Sequence, residues 1–141
     1  MDVQTEFAFA DECRPRMRPF RTQLLKWIGN KQRFPHEIAA YFPEEFGTYY
    51  EPFLGSGAVL ATLAPERGVG SDCFRPLVEI WQTLHDAPEM LKQWYADRWS
   101  QMIEGDKVEQ YERIKASYNA GPNGADLLFL CRTCYGGVVR F

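Results

Sequence analysis

The chain has 141 residues, of which 45% are hydrophobic and 25% charged, and its formal net charge is -3. This length accommodates one compact domain with its own core and excludes two independent ones. No apolar run approaches the roughly 18 residues of a membrane-spanning helix, and the acidic N-terminus lacks the basic-then-apolar order of a secretory signal, so we expect a cytoplasmic protein with reduced thiols.

The first residues show no helical or strand period and include Pro15. We therefore divide the chain into an N-terminal arm, residues 1–18, and a domain, residues 19–141. Seven basic residues without an intervening acidic one lie at their junction: Arg14, Arg16, Arg18, Arg21, Lys26, Lys31 and Arg33. This basic stretch suits a nucleic-acid phosphate backbone, and a solvated basic surface is the equally good alternative.

The segment from residue 47 to residue 86 alternates strand and helix patterns. "GTYYEPF" has the β-branched and aromatic content of a short strand, and "SGAVLATLAPE" predicts a helix with Ser56 near its start. "GVGSDC" predicts a second strand, and "RPLVEIWQTLHD" predicts an amphipathic helix. This order describes a βαβ unit, the usual start of an open α/β sheet with parallel strands.

The regions on either side of this unit are helical by pattern. Pro35 opens a short helix in "PHEIAAYF", and from Pro88 onward two amphipathic helices precede a last apolar helix, "ADLLFLCRTCY". The residues that we expect these two amphipathic helices to bury are Leu91, Trp94, Tyr95, Met102, Val108, Tyr111 and Ile114.

The four cysteines, Cys13, Cys73, Cys131 and Cys134, include one C-x-x-C pair. A zinc site needs about four ligands, and the sequence offers no second close pair, while its two histidines stand alone. We therefore expect buried thiols and no metal site.

The glycine turn "LGSG" between the first strand and its helix is the candidate ligand site. Glycine lets the backbone approach a ligand that a Cβ atom would exclude, at the carboxyl edge of the sheet. The third glycine of the dinucleotide fingerprint and the Gly-Lys-Ser/Thr of a phosphate loop do not follow. Asp72 ends the next strand, where a carboxylate accepts ribose hydroxyl groups in such folds. A nucleoside without phosphates, such as S-adenosylmethionine, fits best.

Four blocks, "LLKWIGNK", "YEPFLGSGAVL", "GSDCFRPLVEIW" and "LLFLCRTCYGGVVRF", occur in this order. In order and spacing they resemble the front half of the Dam-type (D12 class) adenine-specific DNA N6-methyltransferases, over nearly all of the chain after residue 18. The resemblance implies an α/β fold with the Rossmann-like sheet of S-adenosylmethionine-dependent methyltransferases, here incomplete and with an added helical segment.

The resemblance also implies roles for individual residues. Those expected to bind S-adenosylmethionine are Trp27, Lys31, Glu51, Phe53, Gly55, Gly57 and Asp72. For Glu51 an equally good alternative is a carboxylate that orients backbone N–H groups. Those expected on the side of double-stranded DNA are Lys26, Arg132, Tyr135 and Arg140. Gly136 and Gly137 stand where the family usually has Asn-Gly, which removes a side-chain contact.

The family's catalytic Asp-Pro-Pro-Tyr turn does not occur in these 141 residues, so no catalytic residue is assigned. We expect part of an adenine-N6 methyltransferase that is inactive alone and is completed by a second polypeptide or by a missing C-terminal half. Self-association is also expected, because an incomplete parallel sheet exposes apolar edges. The alternatives are a non-catalytic subunit that binds S-adenosylmethionine or docks on DNA, and a small-molecule methyltransferase, which the basic stretch disfavours.

Overall fold

A computed structural model describes residues 23–135 and 138–141 of the chain. The predicted arm, 1–18, and the part of the basic stretch before residue 23 lie outside these residues. The elements in chain order are α1 (Pro35–Ala39), β1 (Tyr49–Glu51), α2 (Ala58–Leu63), β2 (Gly68–Gly70), α3 (Arg75–Asp86), α4 (Pro88–Glu104), α5 (Lys107–Ala120) and α6 (Gly124–Thr133).

The strands β1 and β2 pair in parallel, with Tyr49 opposite Gly68 and Glu51 opposite Gly70. The βαβ unit predicted from the sequence is therefore present, with α2 as the connection between the two strands. Within the described residues the sheet contains these two strands. The structure is thus a mainly helical fold with a small parallel sheet.

The core lies where α3, α4 and α5 pack around α6. Residues 124–131 of α6 are all buried, which is expected of a helix that is apolar on every side. The fully buried side chains at the centre are Leu25, Leu77, Ile80, Leu127, Leu128, Phe129, Leu130 and Cys131. This core holds in place the helices that support the candidate functional site.

A buried ion pair joins α4 to α6. The side chains of Arg98 and Asp126 are 19% and 5% exposed, and Nη2 of Arg98 lies 2.6 Å from Oδ1 of Asp126. Ser117 and Asn123 donate hydrogen bonds of 2.9 Å to the other carboxylate oxygen. The carboxylate is thus surrounded by donors, as a charge removed from water requires.

Helix α2 begins differently from the prediction. Its N-cap is Gly57, in the left-handed region, and no side chain caps the helix there; Ser56 is buried beside it. The Glu51 carboxylate instead accepts a hydrogen bond of 3.0 Å from Leu60 N in the first turn. The helix therefore begins two residues after Ser56, and an acidic side chain from β1, not Ser56, bonds to its first turn.

Most of the predicted core positions of α4 and α5 are confirmed. Leu91 and Ile114 are buried, and the aromatic residues and Met102 pack against the core partly buried. The prediction that Val108 is buried is wrong. Val108 is 72% exposed, because it lies in the first turn of α5, away from the packed end of that helix.

The cysteines divide into two groups. Cys131 and Cys134 are buried, and burial, together with Cys134, raises the pKa of Cys131 to about 12. Cys73 is exposed, contrary to the prediction, because it lies in the short loop between β2 and α3. Cys13 lies outside the described residues.

Within the described ranges no group of three or more potential ligand side chains is placed to hold a metal ion. A separate search of the same residues for a helix with the length and apolar character needed to cross a bilayer finds none.

Candidate functional site

The glycine turn after β1 and Asp72, two residues after the end of β2, meet at one edge of the sheet. Asp72 Oδ2 accepts a hydrogen bond of 3.0 Å from Gly55 N, and its Oδ1 accepts one of 3.1 Å from Phe74 N. Leu54 N donates to Ser71 O at 2.9 Å, which brings the two loops together directly. A single carboxylate thus ties the turn to the start of α3.

The turn needs glycine at two positions. Gly55 has a φ of 49° and Gly57 a φ of 63°, in the left-handed region that residues with a Cβ atom avoid. A Cβ atom on Gly57 would lie 3.1 Å from two atoms of the Trp81 ring. Trp81 Nε1 in turn donates to Gly55 O at 2.9 Å. The Trp81 indole on α3 therefore packs against the turn and holds it by a hydrogen bond.

Trp27 forms the neighbouring wall. Its ring centroid lies 5.7 Å from that of Phe74, and its Cδ1 atom is 3.4 Å from the position of a Cβ atom on Gly55. Trp27 and Phe74 also border a cavity of about 260 Å³, together with Lys26, Ile28, Val139 and Phe141. Trp27 therefore lies between the glycine turn and an apolar cavity.

The predicted cofactor residue Lys31 lies just beyond this wall. Its ammonium group donates to Gly29 O at 3.0 Å on an exposed turn. Asn30 holds the same turn, since its Nδ2 donates to Trp27 O at 2.8 Å. The structure thus places Lys31 on the turn that carries Trp27, and its side chain folds back on that turn.

Glu51 and Phe53, the remaining two predicted cofactor residues, differ in their surroundings. Glu51 is half-buried, and besides Leu60 N it is hydrogen-bonded to the Tyr49 hydroxyl. Burial raises the pKa of Glu51, and it also raises the pKa of Tyr49 to about 12. Phe53 is 88% exposed beside the turn. For Glu51, the alternative of a carboxylate that orients a backbone N–H is the arrangement observed.

All four residues predicted to face DNA are exposed. Tyr135 is 99% exposed, and the exposed Lys26 and Arg140 lie close together, because Lys26 and the residues on either side of Arg140 border the same cavity. Arg132 makes intramolecular contacts: Nη1 donates to Leu24 O at 3.0 Å and to Gln23 O at 3.4 Å. Gly136 and Gly137 lie outside the described residues.

Two residues of the site were not predicted from the sequence. Trp81 was assigned no role in the site, although its indole N–H holds the glycine turn. Phe74 was assigned no role, although it supplies both the wall beside Trp27 and an amide to Asp72. The available signal for Trp81 was that an indole N–H requires a hydrogen-bond partner when it is buried.

The chain is similar in sequence to known methyltransferases. A type II methyltransferase of Lactococcus lactis subsp. cremoris, M1.LlaDCHI, is 28% identical over 138 residues, which cover 88% of this chain and 44% of the relative. M.MjaIII, a type II methyltransferase of Methanocaldococcus jannaschii, is 27% identical over 143 residues, covering 88% of this chain and 48% of the relative. A DNA adenine methylase of Haemophilus influenzae is 38% identical over 64 residues, 45% of this chain and 21% of the relative.

The chain therefore spans less than half the length of these relatives. Residues 27–141 match the sequence model of the D12 class N6 adenine-specific DNA methyltransferases. The matched range begins at Trp27 and includes β1, β2 and α1 to α6. This match covers well over half of the chain, and the chain belongs to the D12 class of N6 adenine-specific DNA methyltransferases.

Proposed function

We propose that this chain is the cofactor-binding part of a cytoplasmic, site-specific DNA adenine-N6 methyltransferase, and that its parallel strand pair belongs to a Rossmann-like sheet. The observation that carries the proposal is the bond of 3.0 Å between Gly55 N and Asp72 Oδ2. It joins a left-handed glycine turn to a carboxylate at the carboxyl edge of two parallel strands, where open α/β sheets bind nucleosides.

The residues around the turn fit S-adenosylmethionine. Each oxygen of Asp72 accepts one backbone N–H, and a carboxylate has capacity for further donors such as ribose hydroxyl groups. Trp27 lies beside Gly55, and the exposed Phe53, two residues before it, supplies further apolar surface. When bound, S-adenosylmethionine supplies an electrophilic methyl group on a sulfonium.

The residues of this chain bind and orient that donor. Asp72 fixes the sugar, Gly55 and Gly57 let the ligand approach the main chain, and Trp27 and Lys31 close one side. The contact with Leu60 N supports an indirect role for Glu51, which holds the first turn of α2 beneath the site. Because both partners of Asp72 are main-chain amides, the loop that presents it to the sugar is held in place without a metal ion.

Double-stranded DNA is the proposed macromolecular partner. The exposed Lys26, Tyr135 and Arg140 would lie on the DNA side, together with the rest of the basic stretch to which Lys26 belongs. Phosphate contacts by lysine and arginine provide most non-specific affinity for DNA and make it depend on salt. A chain with a net charge of -3 needs such a local concentration of positive charge to bind a polyanion.

We further propose that methyl transfer is completed by residues outside this sequence, on a second polypeptide or a C-terminal half. Self-association is the alternative way in which the chain would cover its small sheet. The relatives are about twice as long as this chain, and an Asp-Pro-Pro-Tyr turn does not occur in it. A parallel pair of three-residue strands also leaves much of its surface uncovered, whereas parallel sheets are normally covered on both faces.

Calorimetric titration with S-adenosylmethionine and S-adenosylhomocysteine tests the cofactor site. The Asp72→Ala variant should bind about 5- to 150-fold more weakly, which corresponds to a loss of about 1–3 kcal/mol in charge-assisted hydrogen bonds. Asp97→Ala is the matched control, because Asp97 is an exposed carboxylate on α4 that bonds to Gln93. Equal affinity of the wild-type and Asp72→Ala chains would remove Asp72 from the site. A thermal unfolding midpoint well above the titration temperature ensures that folded protein is compared.

Transfer of a labelled methyl group to DNA tests the second part of the proposal. This chain alone should give no product, and activity should appear when a polypeptide carrying the Asp-Pro-Pro-Tyr turn is added. Strong activity of the isolated chain would contradict the proposal that the catalytic turn is supplied from elsewhere.

A further inference from the structure

Arg132 connects the two ends of the described chain. It lies in the last turn of α6, and its Nη1 atom donates to Leu24 O at 3.0 Å and to Gln23 O at 3.4 Å, across 108 and 109 residues of sequence. Its Cζ atom lies 5.6 Å from the centroid of the Tyr95 ring. A guanidinium that is always charged and planar can stack and donate at once, which a lysine ammonium cannot reproduce.

The anchor of this contact is rigid. Arg132 follows the fully buried Cys131, and Tyr95 packs on the fully buried Phe129, with ring centroids 5.6 Å apart. The exposed guanidinium therefore extends from a helix whose neighbouring side chains are fully buried and have little freedom to move.

The segment that Arg132 holds has little support of its own. Residues 23–27 form neither helix nor strand, so their position depends on individual contacts. Leu25 is fully buried in the core, and two residues later Trp27 lies against Phe74 and beside Gly55. A shift of the main chain at Leu24 would therefore move the indole that forms one wall of the glycine turn.

We propose that Arg132 is a positioning residue for the cofactor wall: it fixes the main chain at Gln23 and Leu24 so that Trp27 stays against the glycine turn. This inference rests on the proposed function, because it concerns the same cofactor. It differs from the role that the family resemblance implies, a contact with the DNA backbone. Nη1 of Arg132 donates to two carbonyl groups of its own chain, so the proposal assigns this nitrogen to the main chain of Gln23 and Leu24.

Two substitutions separate the roles. Arg132→Met keeps an unbranched apolar stem and removes all donors, and Arg132→Lys keeps the charge and one compact donor group. S-adenosylhomocysteine should bind to the Arg132→Met variant about 10-fold more weakly than to the wild type, the effect of one or two hydrogen bonds. Arg132→Lys should recover part of this loss. Arg113→Met is the matched control, since Arg113 is an exposed helical arginine whose contact with Gln110 is 3.5 Å long.

Hydrogen exchange supplies a readout that does not need the cofactor. The amides of Asn30 and Phe34 donate within the turn that follows Trp27, and they should exchange faster in Arg132→Met while the amides of α6 exchange as in the wild type. A loss of overall stability without a positioning role would instead raise exchange throughout the core and leave the affinity of the folded protein unchanged.

Affinity for a DNA duplex at several salt concentrations completes the experiment. The proposal is overturned if Arg132→Met binds S-adenosylhomocysteine as the wild type does, and it is replaced by the phosphate role if the salt slope also falls by about one. Absence of cofactor binding by the wild-type chain overturns the proposed function itself, and equal binding by Asp72→Ala removes Asp72 from the site. Weaker binding by Asp72→Ala but not by Arg132→Met overturns the positioning role alone.

Discussion

Substitution of Gly57 by alanine tests how strictly the turn is defined. Gly57 is the N-cap of α2 with a φ of 63° and a ψ of 22°. An L-residue in this left-handed conformation costs about 1 kcal/mol or slightly more relative to glycine. This part of the cost arises from the backbone and would be present even if the surroundings were open.

The surroundings of Gly57 add a second cost. The new Cβ atom would lie 3.1 Å from two atoms of the Trp81 ring, closer than ordinary contact. Trp81 cannot move away freely, because its Nε1 is held by Gly55 O at 2.9 Å. Overpacking of this kind costs about 1–3 kcal/mol, so we expect Gly57→Ala to destabilise the fold by about 2–4 kcal/mol in all.

Urea unfolding at equilibrium measures this difference. Gly47→Ala is the matched control, because nothing lies within 4 Å of its Cβ position and its φ is not in the left-handed region; its effect should stay within about 0.5 kcal/mol. Gly55→Ala should fall between the two, since its φ is positive but its nearest neighbour, at 3.4 Å, is an ordinary contact. If Gly57→Ala proves no more destabilising than Gly55→Ala, the contact with Trp81 contributes nothing and the reasoning fails.

Two further predictions concern charges inside the fold. Arg98→Met leaves the buried Asp126 carboxylate without its cation, so we expect a loss of about 3 kcal/mol in urea unfolding, and an effect below 1 kcal/mol would show that water reaches the carboxylate. The pKa of Glu51 is raised in the folded chain, so the folded chain binds this proton more tightly than the unfolded chain does. The resulting stabilisation is present below the ordinary glutamate pKa of 4.5 and is lost as the pH rises through the raised pKa. The midpoint of the wild type relative to Glu51→Gln should therefore fall with rising pH in thermal scans, and a difference independent of pH would contradict this.

The order of elements was predictable because local patterns and tertiary structure agree. The helix predicted over "RPLVEIWQTLHD" is observed over the same residues, because its apolar spacing matches the side that faces the core. The helix predicted over "PHEIAAYF" ends earlier, at Ala39. The prediction that Val108 is buried was wrong, and the contact of Glu51 with the first turn of α2 was not predicted, because each depends on what lies opposite in space and not on neighbours in sequence.

The candidate site likewise contains contacts that the sequence predicts and contacts that it does not. Glycine residues between a strand and a helix, followed by an acidic residue after the next strand, were sufficient to predict that Gly55 and Asp72 lie together, and they are hydrogen-bonded. The role of Trp81 and the contact of Arg132 with Leu24 depend on distant pairs, separated by 26 residues and 108 residues. Periodicity carries no information about such pairs.

The alternation along β1 has a consequence for how this chain behaves in concentrated solution. Tyr49 N donates to Arg67 O and Glu51 O accepts from Ser71 N, so the main-chain groups of Tyr50, between them, point away from β2. The ring of Tyr50 is 67% exposed on the same strand. The outward N–H and C=O groups of Tyr50 can pair with an extended segment of another chain, so this protein should associate through that edge unless a further strand covers it.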